Sequence, residues 1–404
     1  MLPVSRQTRR KLTIFGVSII FSILVFLTLV QEESIDDIVA EAEEEQREII
    51  EQIILPDKPK VHLVAVACEG KSKSAIDEAR NMIKSAVLLS TEKRIKVTIF
   101  TNEGNQDHVK SMFMSWPLHA QDKLDLDVRV VKYPLPPEEI SEFRNWWGPC
   151  ASFRLFLPDV MKDTDAVIYV DSDTLFIDSP QSLWAHFDSF NENQIGALAP
   201  RVGWDFKVPA SNQNFIMTPK GSVTQVNSGV FLMNLTRMRK PDLVTSETIS
   251  LETFKWDSKL FIPLYYRFKK DMFGDQNLIN TIFHYNAEKI YFLPCRWNYH
   301  HKFCFDQASE RSCPEADEHG AAIAHGNAKT FYNNYSPVFK ALNDGFTAYR
   351  WDNDLNQSLY KEIERRVKDP SVENHEHCGH HSETFLKSLR KFVEANPTLD
   401  RIFD

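Results

Sequence analysis

Two aspartates directly follow an apolar run near the middle of the chain. Ala166–Val170 reads AVIYV, a continuous apolar segment typical of a strand buried on both faces of a parallel sheet. Asp171 and Asp173 come next, separated by Ser172. Two carboxylates at the end of a buried strand are costly to keep ionised unless a cation lies beside them. The spacing predicts either a site for Mg²⁺ or Mn²⁺, which take oxygen ligands and share them with phosphates, or an exposed turn.

A basic residue precedes this strand in an apolar segment. Arg154 lies within ASFRLFL, residues 151–157. It is either a surface residue with a buried stem or a buried cation near Asp171 and Asp173, and we favour the second interpretation. The chain has no G-x-G-x-x-G or Walker pattern. A bound nucleotide would therefore be held by a metal and basic side chains rather than by a glycine loop.

The elements that must position these residues alternate between strands and helices. Helices are predicted at Ser74–Leu89, around His108, over Ala151–Leu157 and at Phe273–Phe283. Further strands are predicted at Val61–Cys68, Ile95–Phe100, Val128–Tyr133, Ile195–Pro200 and Val226–Leu235. Alternation of this kind predicts an α/β fold with a doubly wound, mostly parallel sheet. Ligands of such sheets bind at the carboxyl ends of the strands, where Asp171 and Asp173 would lie.

The first sixty residues predict a membrane anchor and a stem. Residues 1–11 form a basic cytosolic tail, and residues 12–30 are largely apolar and, as a helix, about 28 Å long, which matches a bilayer. The apolar segment is longer than a signal-peptide core and lacks a small-residue cleavage site, so we expect an uncleaved anchor. Positive charge before the span places the N-terminus in the cytosol and the folded part in the lumen. Residues 31–60 carry much of the net charge of −9, so the acidity says little about the substrate.

Six cysteines lie in the part expected to be lumenal, an even number that permits disulfides. Cys295, Cys304 and Cys313 are close in sequence and suggest one local bridge. The stretch 375–381, HEHCGHH, is either a zinc site or, as we favour because it lacks the spacing of zinc modules, a surface loop held by one cystine. Three Asn-x-Ser/Thr sites are compatible with glycosylation, at Asn234, Asn334 and Asn356.

Several separated stretches together resemble the retaining glycosyltransferases of family 8. They are DSD after the buried strand, NSGV in a strand, GDQ opening a helix, and HGNAK. Within that family, the longer stretches VNSGVFLMNLTRMR, FGDQNLINTIF, LPCRWNYHHKFC and AHGNAK are most similar to the glucoside xylosyltransferases. The resemblance covers roughly residues 61–350 and implies a single GT-A-type catalytic domain, followed by a helical extension at 351–404.

The resemblance also implies a role for each matched residue. Asp171, Asp173 and His325 would hold Mn²⁺, to which an imidazole is better suited than to Mg²⁺. The residues implied to bind the donor are Arg154, Asn227, the backbone of Gly326, Lys329, and the strand end marked by Ala65 and Cys68. Asp275 and Gln276 would lie beside the donor sugar, and the amide oxygen of Gln276 would stabilise it as it becomes cationic.

The function that this resemblance implies is α-transfer of xylose from UDP-xylose to O-linked glucose on EGF-like repeats. The enzyme would be a single-pass type II protein of the Golgi or endoplasmic reticulum membrane, with no nucleic-acid partner. Two alternatives stay open. One is a family-8 enzyme that uses UDP-glucose or UDP-galactose, and the other is a lumenal binding protein that has lost turnover.

Overall fold

Strands of two sheets and the helices around them carry the polar residues described above. The computed structural model describes residues 60–68, 74–145, 150–201, 216–219, 223–245, 252–269, 274–304, 313–351 and 355–396. The strands are β1 His62–Val66, β2 Ile95–Thr101, β3 Leu124–Val130, β4 Ala166–Val170, β5 Thr174–Phe176, β6 Gly196–Arg201, β7 Ile216–Met217, β8 Val223–Asn234, β9 Ile290–Phe292, β10 Tyr299–His300 and β11 Ile323–His325. The helices are α1 Ser74–Leu88, α2 Gln106–Met114, α3 Leu118–Asp122, α4 Pro137–Asn145, α5 Leu157–Val160, α6 Pro180–Trp184, α7 Leu235–Met238, α8 Ser258–Phe268, α9 Asp275–Tyr285, α10 Pro314–His319, α11 Pro337–Ala348, α12 Lys361–Val367, α13 Pro370–Glu373 and α14 Ser382–Ala395.

The large sheet has the strand order β3-β2-β1-β4-β8-β6-β9, and β7 pairs with β8 at one end. Strands β3, β2, β1 and β4 are parallel to one another, and β6 is parallel to β9. Strand β8 is antiparallel to both β4 and β6. The predicted α/β class with a mostly parallel sheet is confirmed, with β8 as the reversed strand in its interior.

Both faces of the central strand are covered, as its continuous apolar sequence predicts. In β4, Ile168 and Val170 pack into one core cluster, and Val167 and Tyr169 pack into the cluster on the opposite face. Successive side chains of a strand point to opposite faces, so a strand covered on both sides needs an apolar residue at every position. Each large aliphatic side chain buried in this way contributes about 1.5–3 kcal/mol.

Two predicted elements depart most from those observed, one in its bounds and one in its helix type. The third strand begins earlier than expected, at Leu124 rather than Val128, because LDLDVRV pairs in parallel with β2 along its whole length. Residues Ala151–Phe156 form a 3₁₀ helix instead of an α-helix, and α5 follows directly. Over six residues, apolar spacing does not separate these two helix types, whose periods of about 3.0 and 3.6 residues per turn differ too little for so short a segment.

A small sheet brings a distant segment beside the two aspartates. Its order is β10-β11-β5, with β11 antiparallel to β5 and parallel to β10. In this register His325 lies opposite Thr174, the residue that follows Asp173. The pairing of β11 with β5 therefore fixes the position of His325 relative to the D-S-D segment.

Three disulfides cross-link the described chain, and one of them, together with a shared core, connects the C-terminal helices to the rest. The cysteine pairs are Cys68–Cys150, Cys295–Cys313 and Cys304–Cys378. The Cys295–Cys313 pair is the expected local bridge, and Cys378 provides the expected single cystine in the 375–381 loop. Phe385 and Leu389 of α14 belong to the same apolar cluster as Phe339 of α11.

The predicted membrane span at residues 12–30 lies outside the described residues, as does the stem apart from its last residue, Lys60. Among the helices of the described residues, none combines the length and the apolar character needed to cross a bilayer.

Candidate active site

Asp171, Asp173 and His325 form one cluster at the carboxyl end of β4. Their potential ligand atoms all lie within 4.8 Å of one another. His325 Nε2 is 3.3 Å from an Asp173 oxygen and 3.9 Å from an Asp171 oxygen. Two carboxylates and an imidazole suit Mn²⁺ as well as other divalent transition metals, so these residues fit the implied cofactor. These three residues form a candidate site for a divalent metal, and the choice of Mn²⁺ stays a prediction.

A chain of amides orients the His325 ring. The Asn298 side-chain NH₂ lies 3.3 Å from the Asn227 carbonyl and 3.1 Å from the Asn227 side-chain oxygen, and donates to both. The Asn298 oxygen therefore accepts from His325 Nδ1–H at 2.8 Å. This hydrogen bond leaves Nε2 directed at the carboxylates, in the tautomer that a metal ligand requires. Burial alone would lower the pKa of His325, but Asp173 and Asp171 outweigh it and raise the pKa.

Arg154 is buried, as the sequence predicts, and binds carboxylates from two parts of the chain. Its Nη1 donates to Asp171 at 2.9 Å and to the Ser228 carbonyl at 3.0 Å. Its Nε and Nη2 donate to the two oxygens of Asp275, the second at 3.0 Å. Burial would lower the pKa of Arg154, yet Asp275 and Asp171 raise it further above its ordinary value. The guanidinium thus places a positive charge beside both carboxylates at the edge of an apolar sheet.

The G-D-Q segment begins α9 as predicted, with Gly274 as its N-cap. Asp275 is 1% exposed and directed at Arg154. The Gln276 side-chain oxygen accepts from the Ser228 backbone N–H at 3.1 Å, and the Ser228 hydroxyl lies 3.2 Å from the same oxygen. Ser228 thus holds this oxygen in the wall of the cavity, and the expectation that it stabilises the donor sugar stays a prediction.

The HGNAK segment lies beside the aspartates, but two of its residues have unexpected surroundings. The Gly326 N–H donates to the Asp173 carbonyl at 2.7 Å, so it has a partner other than a phosphate. A Cβ on Gly326 would lie 2.3 Å from the Phe331 ring, so the close packing of that ring requires glycine. Lys329 is exposed, has a φ of 61°, and does not belong to the lining of the main cavity. Its role in binding phosphate stays a prediction.

Ala65 and Cys68 lie near the end of β1, which is parallel to β4 with Val64 opposite Tyr169. This strand end is therefore at the same edge of the sheet as Asp171 and Asp173, although neither Ala65 nor Cys68 belongs to the cavity lining. Ala65 is fully buried, and the Cys68 sulfur is bonded to Cys150. Only their backbone atoms could then contact a nucleoside. The disulfide could not be assigned from sequence, because six cysteines permit fifteen pairings.

A cavity of about 590 Å³ joins the remaining predicted site residues, which is within the range of small-molecule sites. Asp171, Asp173, His325, Arg154 and Asn227 line it together with Asp275 and Gln276. Sequence reasoning did not identify several other residues of its wall, which are Arg201, Gly274, Asn277, His301, Lys302, Asn327 and Ala328. Some lie in stretches that carried the family resemblance, but their types alone carry no signal for a site.

A further carboxyl group lies next to the aspartates. Ser172 donates to Glu78 of α1 at 3.2 Å. Burial, with a contribution from Asp173, raises the pKa of Glu78 to about 7. Nothing in the sequence of α1 distinguished Glu78 from an exposed helix residue.

The chain belongs to glycosyl transferase family 8, whose model matches residues 72–330. It is 34% identical over 351 residues to glucoside xylosyltransferase 1 of Danio rerio, covering 84% of this chain and 81% of that protein. It is 32% identical over 346 residues to human glucoside xylosyltransferase 1, with 83% and 72% covered. A crystal structure of apo mouse xyloside xylosyltransferase 1 is 18% identical, with a TM-score of 0.48, over 67% of this chain and 98% of that one. The expected family and a UDP-sugar-dependent glycosyltransferase activity are confirmed.

Proposed function

We propose that this enzyme transfers xylose from UDP-xylose, in α linkage, to O-linked glucose on EGF-like repeats. The observation that carries the proposal is the cavity that joins the D-S-D carboxylates and His325 to the Arg154–Asp275 pair. The names of the relatives support the choice of xylose and of a glucoside acceptor. The EGF-like repeat rests on the resemblance alone.

Asp171, Asp173 and His325 would hold Mn²⁺ in this cavity. When bound there, the cation would stabilise the charge that develops on the diphosphate of the donor. The residues of the chain orient these ligands. Asn298 fixes the imidazole tautomer, and Arg154 holds one oxygen of Asp171, which leaves its other oxygen for the cation.

Retention of the anomeric configuration is proposed to occur by attack of the acceptor on the face from which the diphosphate leaves. A covalent intermediate would need a free carboxylate close to the anomeric carbon. Both oxygens of Asp275 accept hydrogen bonds from Arg154, which makes this carboxylate a poor nucleophile. Gln276 is neutral. The departing phosphate oxygen then takes the proton of the acceptor hydroxyl as the new glycosidic bond forms and the sugar–phosphate bond breaks.

We also propose that the catalytic domain is lumenal in the Golgi or endoplasmic reticulum and is anchored through residues 12–30. All six cysteines are disulfide-bonded, and disulfides persist in oxidising compartments. The basic residues that precede the apolar stretch support a type II orientation.

The test is a screen of UDP-sugars for Mn²⁺-dependent UDP release, with and without aryl glucosides of both anomeric forms. The proposal predicts that UDP-xylose is preferred and that a glucoside accelerates release and carries the pentose. Preference for UDP-glucose or UDP-galactose would overturn the choice of donor. No release with any UDP-sugar would favour a binding protein.

Substitution at the metal ligands adds a second arm to this test. Asp171→Asn and Asp173→Asn should abolish transfer and Mn²⁺ binding, while far-UV circular dichroism stays unchanged. The exposed Asp163→Asn provides a matched control that should keep full activity. Near-normal turnover by either ligand variant at saturating donor would contradict the metal assignment.

A further inference from the structure

The histidine-rich stretch 375–381, here called the tail loop, is covalently joined to the wall of the cavity. Cys378 is bonded to Cys304, with 4.8 Å between their Cα atoms. Cys304 ends the 3₁₀ turn His301–Cys304, and the first two residues of that turn line the cavity. Because a disulfide limits how far its two segments can separate, the tail loop and this turn stay next to each other.

Ring contacts reinforce the covalent link. The His377 ring lies 4.6 Å from the Tyr335 ring at an interplanar angle of 33°. Tyr335 in turn meets the His301 ring at 5.9 Å and 76°. These separations fall within the range of favourable aromatic pairs. Tyr335 contacts both histidines and is 49% exposed. His377 therefore supports His301 through Tyr335, from the outer side of the wall.

A third contact joins the tail loop to the strand before this turn. The Tyr299 hydroxyl and His381 Nδ1 lie 3.3 Å apart, within hydrogen-bonding distance. Tyr299 begins β10, which pairs with β11. The tail loop therefore contacts both the turn and the strand that leads into it.

His301 also connects the turn to the segment that carries the metal ligand. It is 5% exposed, and its Nδ1 lies 2.9 Å from the side-chain oxygen of Asn327. Asn327 follows His325 by two residues. A displacement of the turn would then alter the cavity wall at His301 while the Asn298 hydrogen bond continued to hold His325.

The residues of this wall suit a ligand rich in hydroxyl groups. Arg201, Asn277, His301 and Lys302 line the cavity, and the family resemblance gives none of them a metal or donor role. Guanidinium, ammonium and amide groups donate to hydroxyl oxygens, and an imidazole nitrogen can accept from a hydroxyl. Burial lowers the pKa of His301 to about 4, which keeps its imidazole neutral at neutral pH.

We propose that the tail loop is a positioning element for the acceptor saccharide. By holding the His301–Cys304 turn, it sets the wall against which the acceptor hydroxyl groups bind. Donor binding and the metal ligands do not depend on it. The inference rests on the proposed transferase function and assigns a role to the histidines of the tail loop.

The test compares His377→Ala with His377→Phe in the full-length enzyme, with the exposed His380→Ala of the same loop as the control. The measurements are kcat, the KM values for UDP-xylose and for an aryl glucoside, and UDP release without acceptor. Loss of the ring contact should raise the acceptor KM by ~5-fold, and phenylalanine should restore it. The donor KM and acceptor-free UDP release should stay unchanged in all three variants.

The double variant Cys304→Ser with Cys378→Ser should show the same split between acceptor and donor parameters. An unchanged acceptor KM in His377→Ala would overturn the inference, as would a parallel rise in the donor KM or a failure of phenylalanine to rescue. Failure of the proposed function is a different result, because the wild type would then not transfer xylose to a glucoside. The variants would in that case be compared with the donor and acceptor pair that the wild type does use.

Discussion

Arg154 joins the two halves of the cavity, since it donates to Asp171 after β4 and to Asp275 at the start of α9. Its burial among apolar residues is recognisable in the sequence, because a charged residue inside ASFRLFL needs a partner. The sequence also indicates Asp171 as one partner. That Asp275 is the other depends on how α9 packs, which no local pattern encodes.

Gln276 lines the cavity with its side-chain oxygen held by Ser228. Gln276→Ala should lower kcat by about 10² with a smaller change in the donor KM, if its contribution arises mainly in the transition state. Steady-state kinetics with varied donor would measure both effects.

The isosteric Gln276→Glu provides the matched comparison, since a carboxylate can accept the same two hydrogen bonds from Ser228.

Mass spectrometry of the enzyme quenched with donor alone tests the mechanism directly. A stoichiometric pentose adduct on Asp275 or Gln276 that is chased onto acceptor would refute front-face attack.

Gly229 determines how closely β8 can approach His325 and Asp171, two of the proposed metal ligands. A Cβ at this position would lie 2.3 Å from His325 Cε1 and 3.1 Å from an Asp171 oxygen. Gly229→Ala should therefore displace the imidazole and raise the Mn²⁺ concentration needed for half-maximal activity by about 10-fold or more. Titration of activity with Mn²⁺, together with the melting temperature of the metal-free variant, would separate this from unfolding. Unchanged Mn²⁺ affinity would show that the ring is not confined there.

At the scale of elements, strands were more predictable than helix types and side-chain contacts. Ala166–Val170 and His62–Val66 are recognisable because a doubly covered strand must be apolar at every position. The 3₁₀ helix at Ala151–Phe156 is not, since its apolar spacing also suits an α-helix. Arg201, His301 and Lys302 could not be recognised as cavity residues, because they come from β6 and the turn after β10, which meet only in the folded chain.

Strand β1 contains a buried histidine that should make stability depend on pH. His62 lies 2.9 Å from the Thr98 hydroxyl, and burial, with Lys96 and Arg129 nearby, lowers its pKa to about 3. The folded state then binds fewer protons than the unfolded state below pH 6.5. His62 therefore does not reduce the free energy of unfolding above pH 6.5. Below that pH, the free energy of unfolding falls by about 1 kcal/mol per pH unit towards pH 3.

Denaturant unfolding of the wild type and His62→Gln between pH 7 and 4.5 would test this dependence. Glutamine does not titrate but can still hydrogen-bond to Thr98. As the pH falls, the free energy of unfolding of the wild type should decrease relative to that of His62→Gln. A constant difference over this range would mean that His62 is protonated equally in both states.

At the scale of the whole molecule, residues from Pro59 to the C-terminus form one compact unit. Removal of residues 1–57 should therefore yield a soluble, active enzyme when it is made in an oxidising host. Its six cysteines should resist alkylation without reductant, because all are paired. UDP release and thiol counting by mass spectrometry would check both expectations. An inactive product would show that the first residues are needed for folding, and alkylation of Cys295, Cys304 or Cys313 would contradict the oxidised state.

The pairing of β11 with β5 has a consequence for how such an enzyme can diverge during evolution. His325 meets the aspartates through strand register, opposite Thr174, and not through proximity in the chain. Insertions in surface loops between the two strands would lengthen the protein and leave this register intact. Deletion of one residue within the three-residue β11 would turn His325 to the opposite face of the strand and remove the third proposed metal ligand. Descendants can thus drift widely in length and in acceptor while this short ladder stays invariant.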